Sequence, residues 1–303
     1  MKKLLAIVLS TIAFSAMAKE NITVVYSWTP ADIAANFHRQ IVEEANRIQD
    51  KYNFIFDSKP GAGGAVAAMY VQNTSNTILA TSSAFFIRPN FFPKESHDID
   101  KFRMLLPVCS APIVISSKKY KSWKEVPTDR PLTIGVSGIG ITTHLVATEV
   151  AKNYPQLIVV PFKSTSEALV SMLGGSTDFA VTFMGDIEQY KNTSDSKTRV
   201  YPLGITGNKT VAGVAPLSSQ GFPKISEAMS SPAQELAPAL MPEEKFKEIR
   251  AILFTAAKAK TVKDAMAVDY CQPLNDMPDN QIDPWFNLQR SRWKNIASGI
   301  TLK

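Results

Sequence analysis

Apolar residues fall in short, nearly continuous runs separated by segments with helical spacing. The runs at 22–28, 54–58, 77–82, 132–137, 157–162, 178–183 and 200–206 predict strands. Several are rich in Val, Ile and Phe, as strands covered on both faces are. Helix-length stretches at 30–47, 64–72, 143–153 and 165–173 lie between them. This alternation predicts strand–helix–strand units of an α/β fold.

Local signals place several helix ends. Thr29 is positioned to cap a helix, with Pro30 at its first position and Asp32 facing free amides. Ser164-Thr165-Ser166-Glu167 has capping-box spacing, and Gly174-Gly175 predicts the end of that helix. Asp283-Pro284 predicts the start of the final helix. Its Trp285, Leu288 or Gln289, Trp293 and Ile296 share a face, which reads as a core stripe.

An extended run at 104–117, interrupted by Pro107 and Pro112, breaks the alternation and predicts a crossing into a second unit. Beyond 206 the sequence reads as loop through Pro216, Gly221, Pro223 and Pro232, and helices dominate from Pro242. A chain that builds one domain, leaves it and returns would give this order. The expected division is domain 1 at 19–110 and 216–303, and domain 2 at 111–215; periodicity leaves two sequential domains open.

Composition narrows the class. With 303 residues, 45% hydrophobic and 20% charged, the chain falls outside disordered, collagenous and polytopic membrane classes. Residues 1–18 predict an export signal: Lys2 and Lys3, an apolar stretch at 4–14, then the small-residue site Ala16-Met17-Ala18. The expected mature chain starts at Lys19 and is soluble. The formal charge of +6 falls to +4 once Lys2 and Lys3 are removed, and the remaining basic residues are dispersed, which argues against a nucleic-acid partner. Two cysteines in an oxidising compartment, Cys109 and Cys271, leave a bridge and two buried thiols equally open.

Catalytic patterns are incomplete. His38, His97 and His144 have no metal-ligand spacing, so neither a metal nor an enzymatic role is expected. Gly135-Val136-Ser137-Gly138-Ile139 lacks the last glycine of a nucleophile elbow. The loops at 61–66 and 138–143 each miss the third glycine of a dinucleotide fingerprint, so no cofactor is expected. What the loops share is small residues at a helix start, where unpaired amides and the helix dipole favour an anion and the backbone can be approached.

Lys59-Pro60-Gly61-Ala62-Gly63-Gly64, followed by an Ala-rich helix, resembles the signature loop of the Bug-type (TctC-like) receptors of tripartite tricarboxylate transporters. Pro30-Ala31-Asp32-Ile33, Ser137-Gly138-Ile139-Gly140 with His144-Leu145, and Val160-Pro161-Phe162-Lys163-Ser164 running on to Asp178 are similar to further segments of that family, in the same order. The resemblance spans most of the mature chain and thins after Pro216. Trp28 and Thr29 stand where the family often has two glycines, and Asn36 where arginine is common.

The resemblance implies a monomeric periplasmic receptor with a two-domain Venus-flytrap fold of type II, without catalysis. Its guest would be a dicarboxylate, a tricarboxylate or an amino acid, and its partners the membrane permease subunits. A sensor kinase as partner is the alternative, and an exported enzyme the less favoured one. Carried over by position, one wall would comprise Trp28, Thr29, Pro30, Ala31, Asp32, Gly63, Gly64, Ser82 and Ser83. The other would comprise Ser137, Gly138, Gly140, Thr142, Lys163, Ser164, Phe183 and Asp186.

Overall fold

The computed structural model describes residues 18–225 and 229–300; the expected export signal lies outside the described residues except for Ala18. The chain begins β1 (Glu20–Tyr26), α1 (Ala34–Arg47), β2 (Tyr52–Ser58), α2 (Ala65–Val71), β3 (Thr77–Ser82), α3 (Ala84–Phe91) and β4 (Phe102–Ala111). It continues β5 (Ile113–Ser117), β6 (Leu132–Val136), α4 (Thr142–Ala151), β7 (Leu157–Pro161), α5 (Thr165–Leu173), β8 (Phe179–Phe183), α6 (Met184–Lys191) and β9 (Tyr201–Ile205). It ends β10 (Ser231–Pro238), α7 (Glu243–Ala256), α8 (Lys260–Val268), β11 (Gln272–Pro273) and α9 (Asp279–Ser298).

Two sheets result. The first has the order β11-β4-β10-β3-β1-β2, and the second β7-β6-β8-β5-β9. In the first, β1 runs parallel to β2 and β3, and β10 lies antiparallel between β3 and β4. In the second, β6 runs parallel to β7 and β8, and β5 is antiparallel to β8 and β9. Each sheet therefore contains a parallel trio whose central strand comes first in the chain. Such trios open a crevice at the carboxyl ends of their strands, where the strand order reverses. The chain passes from the first sheet to the second through Pro112 and returns between β9 and β10.

Burial follows the expected patterns. On α1, Ala35, His38, Ile41, Val42 and Ala45 recur at three- and four-residue spacing and face the first sheet together with α7 and α8. Residues of β3 are buried almost throughout, and the fully buried Phe85, Phe86 and Trp293 fill the opposite face beneath α9. On α9, Trp293 and Gln289 are buried while Leu288 is exposed, so Gln289 holds the stripe position and the stripe is core packing.

Three local expectations need correcting. The segment read as loop around Pro232 includes β10, an internal strand. Its prolines do not prevent pairing, because Pro232 and Pro238 sit near its ends, and β4 bulges where Pro107 lacks an N–H. The first helix starts at Ala34 instead of Pro30: the Thr29 hydroxyl donates to Asp32 Oδ1 (3.2 Å) and caps nothing. The last helix starts at Asp279, leaving Pro284 inside its second turn. By contrast, Ser164 Oγ accepts from Glu167 N at 3.1 Å, as a capping residue should, although the Glu167 carboxylate reaches back to the amide of Lys163.

Cys109 and Cys271 form a disulfide with Cα atoms 5.4 Å apart, which resolves the alternative left open by the sequence. It fastens the segment after α8 to β4, where β11 pairs. Among the described residues, no helix is long and apolar enough to cross a membrane.

Candidate binding cleft between the two sheets

A cavity of about 50 Å³ lies between the sheets, at the carboxyl ends of both parallel trios. The end of β1 and its loop contribute Tyr26, Trp28 and Asp32; α1 contributes Phe37 and His38; β3 contributes Thr81 and Ser82. Facing them are Ser137, Ile141, Thr142 and Thr143 between β6 and α4, Thr165 at the start of α5, and Phe183 at the end of β8. The chain crossings close the sides with Ala111, Ile113, Ser231 and Ala233, and Asp269 and Cys271 enter from beyond α8. At about 10–15 Å³ for each water centre, this closed space holds roughly four waters, which suits a small guest.

Of the residues singled out in the sequence, Trp28, Asp32, Ser82, Ser137, Thr142 and Phe183 line this cavity. Ser83 sits immediately behind it, sharing hydrogen bonds with the hydroxyls of Thr142 and Ser231. Ser164 and Asp186 are also buried; the Ser164 hydroxyl bonds Asp32, and Asp186 Oδ2 accepts from the amide of Phe183 (3.0 Å). Thr29 is half-buried, whereas Pro30, Ala31 and Lys163 are exposed.

The glycines serve a different purpose from the one their sequence suggests. A Cβ on Gly63 would lie 2.7 Å from Ile141 Cγ2, and one on Gly138 would lie 3.6 Å from Gly63 Cα. The loops before α2 and α4 thus pack directly on each other across the cleft. Gly64 is occupied by Ser27 and Trp28, and Gly140 by Phe92, so these positions admit protein side chains. Two further bonds link the sheets' units here: Ser166 Oγ donates to Asp32 Oδ1 (2.9 Å), and Arg88 Nη1 to Ile139 O (3.1 Å).

The electrostatics are acidic. Burial raises the carboxyl pKa of Asp32 to about 6, against the opposing effect of hydrogen bonds from Ser166, Thr29 and Ser164. Asp186 is pushed up to about 7, by burial first and then by the charge of Asp32, while its bond from the Phe183 amide pulls it down. Asp269 is raised well above the ordinary carboxyl value, by burial and then by Asp186 and Asp32. The phenol of Tyr26 is raised by burial and by all three carboxylates, which places them around one point. His38 Nδ1 bonds Glu235 Oε1 at 3.0 Å, with both side chains almost wholly buried. His144 is held neutral by burial, and its Nδ1 accepts from the amide of Gly140. No Lys or Arg side chain lines the cavity.

Sequence reasoning overlooked Tyr26, His38, Thr143, Thr165 and Asp269 as lining residues. Thr143 and Thr165 follow helix starts that were recognised, so extending each by one residue would have found them. Nothing local marks Asp269, which reaches the cleft only through the return of the chain and the Cys109–Cys271 bridge.

Two sheet-centred α/β units facing across a cleft at their strand ends define a two-domain periplasmic-binding-protein fold. The chain matches the tripartite tricarboxylate transporter family receptor over residues 37–302 and belongs to that family. The periplasmic binding protein BugD is 17% identical with a TM-score of 0.82, covering 92% of this chain and 97% of its own. R. palustris Rpa4515 with adipate is 17% identical with a TM-score of 0.78, covering 92% and 96%. MatC from Rhodopseudomonas palustris with bound malate is 17% identical with a TM-score of 0.76, covering 92% and 99%. No curated protein matches the chain in sequence.

Proposed function

We propose that this chain is an extracytoplasmic receptor that captures a small organic carboxylate in the cleft and delivers it to the membrane permease of a tripartite tricarboxylate-type transporter. Residues 1–18 direct export, and the mature chain works in the periplasm. Residues 19–110 with 216–303 form one lobe and 111–215 the other, hinged at Pro112 and in the segment before β10. The observation carrying this reading is a closed cavity at the meeting point of both parallel trios in a chain of the receptor family. Adipate and malate in two structural neighbours support the ligand class.

In this reading, the hydroxyls of Ser82, Ser137 and Thr142 contact the guest together with amides at the start of α4, where the helix dipole favours a carboxylate. Trp28 and Phe183 flank it. Ser83 and Ser164 position their neighbours, and the loops carrying Thr29, Pro30, Ala31, Gly63, Gly64, Gly138 and Gly140 close against one another around it. Lys163 is a rim charge. The guest binds unreacted, and contacts from both lobes favour the closed state, so binding shifts the hinge equilibrium.

A thermal-shift screen with mono-, di- and tricarboxylates and amino acids tests the reading. A guest at about 100 times its Kd should stabilise the protein by roughly 2.7 kcal/mol. A flat response across the panel refutes the ligand class.

A further inference from the structure

The cavity's polar lining is of two kinds. Hydroxyls of Thr81, Ser82, Ser137, Thr142, Thr143 and Ser231 supply neutral donors and acceptors. Carboxyls supply the only acidic groups: Asp32 and Asp269 line the space, and Asp186 stands close enough to both to raise their affinity for a proton. Asp269 is only 1% exposed, and its Oδ1 has no hydrogen-bond partner. An unpartnered carboxyl oxygen in such a place is expensive to retain unless a donor reaches it. The protein provides no cation for it. Among the lining residues His38 is the only basic side chain, and its Nδ1 is already engaged by Glu235.

We propose that the guest carries a positively charged nitrogen in addition to its carboxylate, and that Asp269 receives this group, with Asp32 beside it and Asp186 behind. This rests on the receptor reading and specifies its ligand as a small zwitterion. Aromatic rings of Tyr26, Trp28, Phe37 and Phe183 line the same space and offer faces to an ammonium group. Among the described residues, no group of three His, Cys, Asp or Glu is arranged to hold a metal ion, so the geometry favours an organic cation. Burial and the neighbouring carboxylates keep Asp269 protonated in the empty site; an arriving ammonium favours its ionised form, and the displaced proton passes to solvent.

The test uses matched probes at pH 7: succinate against aspartate, butyrate against γ-aminobutyrate, and putrescine. The proposal expects at least one zwitterion to bind ten times or more tighter than its matched acid. Titration calorimetry in two buffers of different ionisation enthalpy should show proton release on binding. D269N should lower the affinity for the zwitterion at least tenfold and shift preference toward the matched acid, with D186N as a second variant if D269N does not fold. If succinate or butyrate binds as well as its amine partner, the proposal is overturned and the carboxylate receptor stands. Binding of putrescine alone supports the ammonium site but overturns the carboxylate reading. Silence from every probe counts against both.

Discussion

Asp186 gives a perturbation whose sign and size can be worked out. Its native carboxyl titrates at about 7, against 3.8 for the ordinary group, because it is buried and faces Asp32 and Asp269. The native state binds this proton more tightly than the unfolded chain, so the group favours folding at low pH. That contribution is fully present below 3.8 and disappears as pH rises through about 7. Between pH 5 and pH 8, one such group removes about 3 kcal/mol of stability. Asp186→Asn retains an oxygen for the amide of Phe183 and removes the titration. The variant should match the native protein near pH 5 and exceed it by about 3 kcal/mol at pH 8. Urea denaturation of both proteins at the two pH values checks this. The comparison between them cancels groups of opposite sign, such as Asp178, which Lys119 and the Thr133 amide hold below the ordinary value. Equal losses of stability in both proteins would refute the assignment of Asp186 as a proton-retaining carboxyl.

Other outcomes follow from packing and bonding. Gly63→Ala places a Cβ against Ile141 at a residue with φ +59°, so it should destabilise the folded protein by about 1–3 kcal/mol and weaken guest binding, measured by denaturation and titration. Cys271→Ser opens a link between residues 162 positions apart and should lower stability by about 2–5 kcal/mol, with reductant shifting the native protein's Tm in the same direction. His38→Ala leaves Glu235 buried without its partner and should lower stability by about 3–5 kcal/mol in chemical denaturation. Glu235→Gln together with His38→Ala should recover part of that loss.

The sequence is most legible where burial and local chemistry agree. β3 and α5 have the bounds expected for them, because one is continuously apolar and the other is capped by Ser164 and ended by Gly174-Gly175. β10 is illegible for the opposite reason. Its prolines suggest a loop, and Gln234 and Glu235 look like surface residues, yet both are buried because Gln234 donates to Ser82 O and Glu235 bonds His38. Pro89 hides α3 in the same way. In the cleft, helix starts announced Asp32, Ser137 and Thr142, since small and polar residues at those positions have a local cause. Asp269 has none. It joins residues far away along the chain only once the C-terminal segment has returned to the first sheet, and the acidic character of the cleft therefore becomes apparent only in three dimensions.

The central claim is that both sheets' units grip one small solute between them. A crystal structure of the protein grown with the strongest guest from the thermal-shift screen tests it most directly. The account predicts the guest inside the cavity, touched by Trp28 or Ser82 from one side and by Ser137 or Thr142 from the other. A guest seated elsewhere, such as the groove beside Arg103, Phe246 and Arg290, would contradict it.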